Sequence, residues 1–345
     1  MGSVIQFGLF DWIDDANIEV GELYEKRIKL VEIAEQAGFY GYHLAEHHGT
    51  SLSMAPSPSV FFSALAQRTS KIRFSAMAFL LPLYHPIRLI EEICMLDHLS
   101  SGRVEVGISR GVSPYEIKCY GVDPSSTQEI FEEALEVLLK GMTEKSLSFS
   151  GKHFQFSDVP VSVGPFQTPH PPIWYPTFSE SGTNYAAKNG FNFLTLGPPE
   201  LVAQLSSLYK NTYEKSCPTS DRMSSPPKVG AMRQIFVAES DQEALKYAEP
   251  AYRDWYNSIT ELWHKNKDSS FDDFFSWESC ISNESILVGS VETVKNKIQK
   301  LIDQSDINYF VGSFAWGSLP FEQSKKSFTF FAKEVAPYIE NLANY

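Results

Sequence analysis

Eight short apolar runs, each followed by a stretch of helical periodicity, constrain this chain more than any other feature. The runs fall at residues 5–10, 39–45, 72–81, 104–108, 173–175, 191–194, 229–237 and 309–314. Short apolar runs bounded by turn signals read as buried strands. After the first run, Leu23, Leu30, Ala34 and Ala37 recur at helical spacing, and Gly38 stands where a C-terminal cap belongs. Pro86 opens another helix at a first-turn position that proline tolerates. Further helices are read over 59–68, 128–140, 183–188 and 201–213, from Asp241, over 290–302 and over 322–342. Strict strand–helix alternation demands parallel strands joined by crossover helices. Eight such units predict an α/β chain closed as a (β/α)8 TIM barrel. A doubly wound sheet for dinucleotides lacks its fingerprint, because no G-x-G-x-x-G follows the first strand.

A length of 345 residues fits one such barrel, read as a single domain over 1–345. The surplus falls in two insertions, 141–172 after strand four and the aromatic-rich, irregular 255–284 after strand seven; 216–227 reads as a polar loop. Asp and Glu number 42 against 29 Lys and Arg, a net charge of −13. Nucleic-acid and anionic-membrane partners demand a basic field, so both classes are excluded. Cys94, Cys119, Cys217 and Cys280 form no C-x-x-C pair, which leaves no disulfide scaffold or cysteine zinc site and fits reduced thiols in a cytoplasm. No run is long and apolar enough to span a membrane, and the first ten residues lack the pattern of a signal peptide.

Barrels of this kind place their chemistry at the carboxyl ends of the strands. Strand two ends on Glu46-His47-His48. A histidine there titrates near neutrality and suits proton transfer, although an exposed histidine pair fits the same letters. A metal would need more ligands, and His43, His85 and His98 are not spaced to supply them. Strand four ends on Ser109-Arg110-Gly111, an arginine placed to grip an anion, or else to form a structural ion pair. After strand five, Ser179-Glu180-Ser181-Gly182-Thr183 opens a helix whose N–H groups either bind an anion or are simply capped. These two features on adjacent strands converge on one phosphate-sized spot. Trp12, Phe79, Tyr84, Trp174, Tyr175 and Trp316 lie at strand ends and would wall a pocket for a flat ring, if they are not core; Trp255, Trp263 and Trp277 would line a lid or an interface.

Together these motifs resemble the bacterial luciferase-like family of flavin-dependent monooxygenases. The matching stretches are L-A-E-H-H, L-P-L-Y-H-P-I-R, D-H-L-S-S-G-R-V-E-V-G-I-S-R-G, S-E-S-G-T and V-G-S-F-A-W-G-S-L-P-F-E. The resemblance runs over essentially the whole chain and is most specific over 97–111, followed by Tyr120-Gly121. It implies a flavin at the carboxyl ends of the strands and a homodimer or heterodimer. It assigns His47 as the catalytic residue, and Arg110, Glu180, Ser181, Gly182 and Thr183 to the FMN phosphate. Met77-Ala78 aligns with a non-prolyl cis peptide beneath the flavin ring. Phe10, Glu46, His48, Phe79, Ser109 and Trp316 would line the substrate pocket.

Two positions depart from the family. Ser109 stands where luciferase catalytic subunits carry a reactive cysteine, and Gln128 where they carry a second phosphate arginine, which implies weaker FMN binding. The resemblance implies a two-component enzyme. A separate flavin reductase would supply reduced FMN, and O2 would oxygenate an aldehyde, ketone or natural product through a flavin peroxide. Two alternatives remain at this stage: hydride transfer with coenzyme F420 on the same fold, and a flavin-binding subunit without catalysis.

Overall fold

The computed structural model describes residues 5–216 and 226–343, with side chains to residue 340. Most of the loop read over 216–227, Cys217 included, lies outside the described residues. The strands are β1 (Gln6–Asp11), β2 (Gly41–Leu44), β3 (Arg73–Leu80), β4 (Val104–Ser109), β5 (Ser146–Ser150), β6 (Gln155–Pro160), β7 (Ile173–Pro176), β8 (Asn192–Thr195), β9 (Val229–Ala238), β10 (Ile286–Ser290) and β11 (Tyr309–Ser313). Eight of them close a parallel barrel in the order β1-β2-β3-β4-β7-β8-β9-β11, with β11 pairing back onto β1. The predicted (β/α)8 barrel is therefore the fold, and each of the eight predicted runs supplies one barrel strand.

Helices wrap the barrel because their apolar stripes have nowhere else to go. Leu30, Val31 and Ala34 of the helix Val20–Gln36 and Leu89 and Ile93 of the helix Pro86–Leu99 are buried in the layer between helices and strands. The lumen is filled by a polar layer. The buried Glu105 carboxylate accepts hydrogen bonds from Tyr40, Arg73 and Trp174, and His43 Nε2 lies 2.8 Å from the Tyr309 hydroxyl. Gly8 makes room for this layer, since a Cβ there would fall 2.0 Å from Tyr309 Oη. Buried polar groups survive only when hydrogen-bonded, and here most of the members satisfy one another.

The first insertion is an antiparallel hairpin, β5–β6. The second differs from the irregular segment expected over 255–284. One helix, Asp241–Lys265, continues straight through Pro250, and two short helices, Asp272–Phe275 and Trp277–Ser282, follow it. Proline normally ends a helix. Here Ala244, Ala248, Ala251, Tyr252 and Trp255 are all buried on one face, and that burial carries the helix past the break. The strand β10 was not expected either. It pairs only with the second half of β9, Ile286 against Gln234 through Ser290 against Ala238.

Candidate active site

At the carboxyl ends of the strands opens a cavity of about 480 Å³. Its size suits a cofactor or small-molecule site. One side carries His47, Met77, Ala78, Ser109 and Glu116; the other carries Gln234, Trp255, Trp263, Phe271, Phe274 and Phe275.

His47 stands three residues past the end of β2, and a quarter of its side chain is exposed. Its Nδ1 lies 3.1 Å and 3.3 Å from the two oxygens of Glu116. Among the described residues Nε2 has no hydrogen-bond partner, so the ring is anchored at one nitrogen and open at the other. Burial alone would lower the His47 pKa, but the Glu116 carboxylate and Glu46 outweigh it and hold it above the ordinary histidine value. The same contact works in reverse on Glu116. Burial would raise its pKa, yet His47 and the His48 backbone N–H, which donates at 2.8 Å, keep it below the usual carboxylate range. The pair is thus a histidine biased toward its protonated form, held at the cavity wall by a carboxylate biased toward its charged form.

Glu116 is the residue that sequence reasoning missed. It sits on the short helix Pro114–Cys119, capped by Ser113, whose Oγ accepts from Glu116 N at 3.3 Å. The letters S-P-Y-E do signal a helix start. They do not reveal that the carboxylate turns away from its own cap toward His47, 69 positions earlier.

Not every expected pocket residue lines the cavity. Phe10, Glu46 and Ser109 do. His48 is turned into the protein, with Nε2 2.8 Å from Glu46 and Nδ1 2.9 Å from the Tyr120 hydroxyl. Its work is to hold Glu46, whose other oxygen accepts from Tyr84 at 2.8 Å; burial raises the Glu46 pKa against these contacts. Phe79 also points away, into the layer beneath the helices. The reason is local. The Met77–Ala78 peptide is cis, as the resemblance implied, and the pairing of β3 with β4 shifts between Ala76 and Phe79. Simple alternation fails across that shift, so Met77 and Ala78 both line the cavity and Phe79 does not. Trp316 is buried behind the wall, 6.0 Å from the Tyr252 ring, with Nε1 donating to Ser313 O. The next residue, Gly317, donates its N–H to the buried Asp14, which pulls the loop inward.

The residues expected around a phosphate lie at the rim. Arg110 is exposed and forms no ion pair with any described residue. The helix Glu180–Lys188 follows β7, the strand paired with β4. Ser179 Oγ accepts from Gly182 N at 3.2 Å, and Thr183 Oγ1 donates to Ser179 O at 2.9 Å, which leaves the N–H groups of Glu180 and Ser181 without acceptors among the described residues. Glu180 turns its carboxylate to Gln204, 2.6 Å away. Gln128 is exposed and bound to Glu132 at 2.7 Å. Tyr175 senses both sides of this rim: burial raises its pKa, while Arg110 lowers it and Glu132 raises it. An unpaired guanidinium after β4 and two free helix N–H groups after its neighbour β7 suit a phosphate, and the largely apolar cavity suits a flat ring.

The closed parallel barrel, with a histidine–carboxylate pair at the carboxyl ends of its strands, is that of an α/β-barrel enzyme. The family of luciferase-like monooxygenases matches residues 1–305, and the chain belongs to that family. An uncharacterised protein of Sinorhizobium fredii, y4wF, is 35% identical over 93% of this chain and 94% of its own. The oxygenase component of the flavin-dependent trigonelline monooxygenase of Acinetobacter baylyi is 29% identical over 71% of this chain and 68% of its own. Among solved structures, the monooxygenase RslO1 of Streptomyces bottropensis superposes with a TM-score of 0.85 at 23% identity, over 97% of this chain and 99% of its own. The oxygenating constituent of 3,6-diketocamphane monooxygenase of Pseudomonas putida, in complex with FMN, gives 0.80 at 20% identity, over 98% and 99%. An F420-dependent secondary alcohol dehydrogenase gives 0.72 at 18% identity, over 98% and 99%. At these identities the structures speak to the fold alone.

Proposed function

We propose that the chain is the oxygenase of a two-component system, taking reduced FMN from a separate flavin reductase and using O2 to oxygenate a small organic molecule with an aldehyde, ketone or related carbon centre. The observation that carries the reading is the His47–Glu116 pair set in the wall of an otherwise largely apolar cavity. The trigonelline enzyme's description as flavin-dependent, and as an oxygenase component, supports the division of labour; the diketocamphane enzyme's FMN supports the cofactor.

Bound reduced FMN would supply the electrons that activate O2. The chain's own residues do the rest. Arg110 and the first turn of the helix Glu180–Lys188, through Glu180, Ser181, Gly182 and Thr183, hold the phosphate. Met77 and Ala78 support the ring. Trp255, Phe271 and Phe275 keep water from the reacting centre, which strengthens every charge interaction inside. His47 holds a proton on Nε2 and delivers it where negative charge develops on oxygen, with Glu116 fixing the ring through Nδ1. A second copy of a related subunit fits the apolar residues exposed on two neighbouring helices, Val60, Met95 and Leu99. Among the described residues no helix is long and apolar enough to cross a membrane.

Spectral titration separates this reading from F420 use. We expect FMN, in its reduced form, to bind and F420 not to; binding of F420 with no response to FMN would replace the proposal. The fully built His47–Glu116 pair speaks against a non-catalytic flavin carrier, which would bind flavin without consuming O2.

A further inference from the structure

The far side of the cavity carries a buried polar side chain that the oxygenation residues leave unused. Gln234 on β9 is only 5% exposed and lines the cavity; its Nε2 is closed off as the amide lies and has no acceptor among the described residues, and a half-turn of the amide exchanges it with Oε1. A buried N–H without a partner is costly, and native proteins rarely keep one without a use. The strand neighbours do not supply an acceptor. In register with Gln234 stand Ile286 on β10 and Ser313 on β11, and the Ser313 hydroxyl is itself fully buried and unpartnered. The preceding residue, Arg233, is also buried, with Nε and Nη2 unpaired and no carboxylate at ion-pair distance among the described residues. Arg233, next along the strand, points to the opposite face of the sheet, and of these side chains Gln234 alone lines the cavity.

The place of Gln234 is opposite the flavin support. In the barrel order β9 lies four strands from β3 in either direction. Gln234 therefore faces Met77 and Ala78 across the cavity that all three line. Around it stand Trp255, Trp263, Phe271 and Phe275, and no lysine or arginine is among the lining residues, which include Glu46 and Glu116. A carboxylate substrate would meet those acids, and the one lining group biased toward positive charge, His47, is already paired with Glu116. A cation would meet the N–H of Gln234, a donor with nothing to offer it.

We infer that Gln234 is a specificity-determining residue, donating a hydrogen bond to the acceptor oxygen of a neutral, ring-shaped substrate whose apolar body lies among these aromatic rings. The inference rests on the oxygenase reading and narrows it, from any carbon centre to a ring compound bearing one acceptor oxygen.

A matched pair of probes tests it: 1-tetralone, which carries a ring carbonyl, and tetralin, which has the same skeleton without it. Binding to the full chain, with oxidised FMN present, is followed by tryptophan fluorescence. The parent should bind 1-tetralone about tenfold more tightly than tetralin. Gln234→Leu should bring the ratio close to one while leaving tetralin and FMN affinities within about twofold. Gln234→Glu keeps the length but removes the donor, and should lose the preference as well; it decides the matter if the leucine variant does not fold. A ratio near one in the parent, a preference retained in either variant, or loss of FMN binding in Gln234→Leu overturns the inference. Because the readout is binding, failure of the oxygenase reading would show separately, as an absence of oxygenated product with the binding ratio intact.

Discussion

The two sides of the cavity are built on different physical grounds. The side formed by β2, β3 and β4 is polar and tightly fixed: His47 is held by Glu116, Glu46 by His48 and Tyr84, and His48 by Tyr120. The side formed by β9 and the segment after it is an aromatic wall, where Trp255, Phe271, Phe274 and Phe275 pack by edges and faces, with centroids 4.8 to 6.3 Å apart among contacting pairs. Hydrogen bonds and ion pairs set atoms to within tenths of an ångström, as proton transfer requires. Aromatic packing sets shape and excludes water, and tolerates exchange of one large ring for another. On the proposed reading the polar side serves the reaction and the aromatic side the substrate.

Substitutions can break that division. The largest effect should come from His47→Ala, which ought to lower the rate of oxygenated product by about 10²–10⁴-fold, a typical loss for a general acid or base, with FMN affinity within about twofold. A variant that oxygenates as fast as the parent would remove His47 from the mechanism. Arg110→Ala comes next. Loss of charge-assisted hydrogen bonds to the phosphate should weaken FMN binding about 10- to 100-fold by calorimetry, with no change in probe binding at the aromatic wall.

Glu116→Gln should act on the pH profile more than on the maximum rate. Glu116 raises the His47 pKa, so the variant should move the His47 titration to lower pH, read from its imidazole signals by NMR. Stability follows the same signs. The contribution of His47 is fully present below its ordinary value of about 6.5 and fades as pH rises through the raised folded value. That of Glu116 is present above its ordinary value of 4.5 and fades as pH falls through the lowered one. The parent should therefore gain over Glu116→Gln mainly between those limits, and a flat difference from pH 4 to pH 8 would count against the pair. The smallest effect is a gain: Gln128→Arg, adding charge near the rim, should tighten FMN binding by several-fold. Unchanged affinity would show that Gln128 lies outside the phosphate site.

The same contrast explains what could be read in advance. The barrel was legible because every strand carries an apolar run and every crossover a 3.6-residue period. His47 and Arg110 are legible because each lies within three residues of a strand's carboxyl end and so must stand near the mouth. Glu116 was not, since a hydrogen bond across 69 positions leaves no local pattern. Phe79 departs from the expected alternation because the pairing of β3 with β4 shifts between Ala76 and Phe79. The aromatic wall was seen only as composition. Its helix continues through Pro250, and β10 is a short run that reads equally well as the approach to the cap at Ser290. Gln234, inside an apolar strand, gave no sign at all until its unpaired amide was seen against the cavity.

The oxygenase reading is tested most directly with ¹⁸O2. The chain is loaded anaerobically with reduced FMN, given a panel of neutral ring ketones and aldehydes, and mixed with the labelled gas. We expect one ¹⁸O atom in the product by mass spectrometry, the other leaving as water. Unlabelled or reduced product, or oxidation of the flavin with no label in any panel member, would contradict the assignment of this chain as an oxygenase.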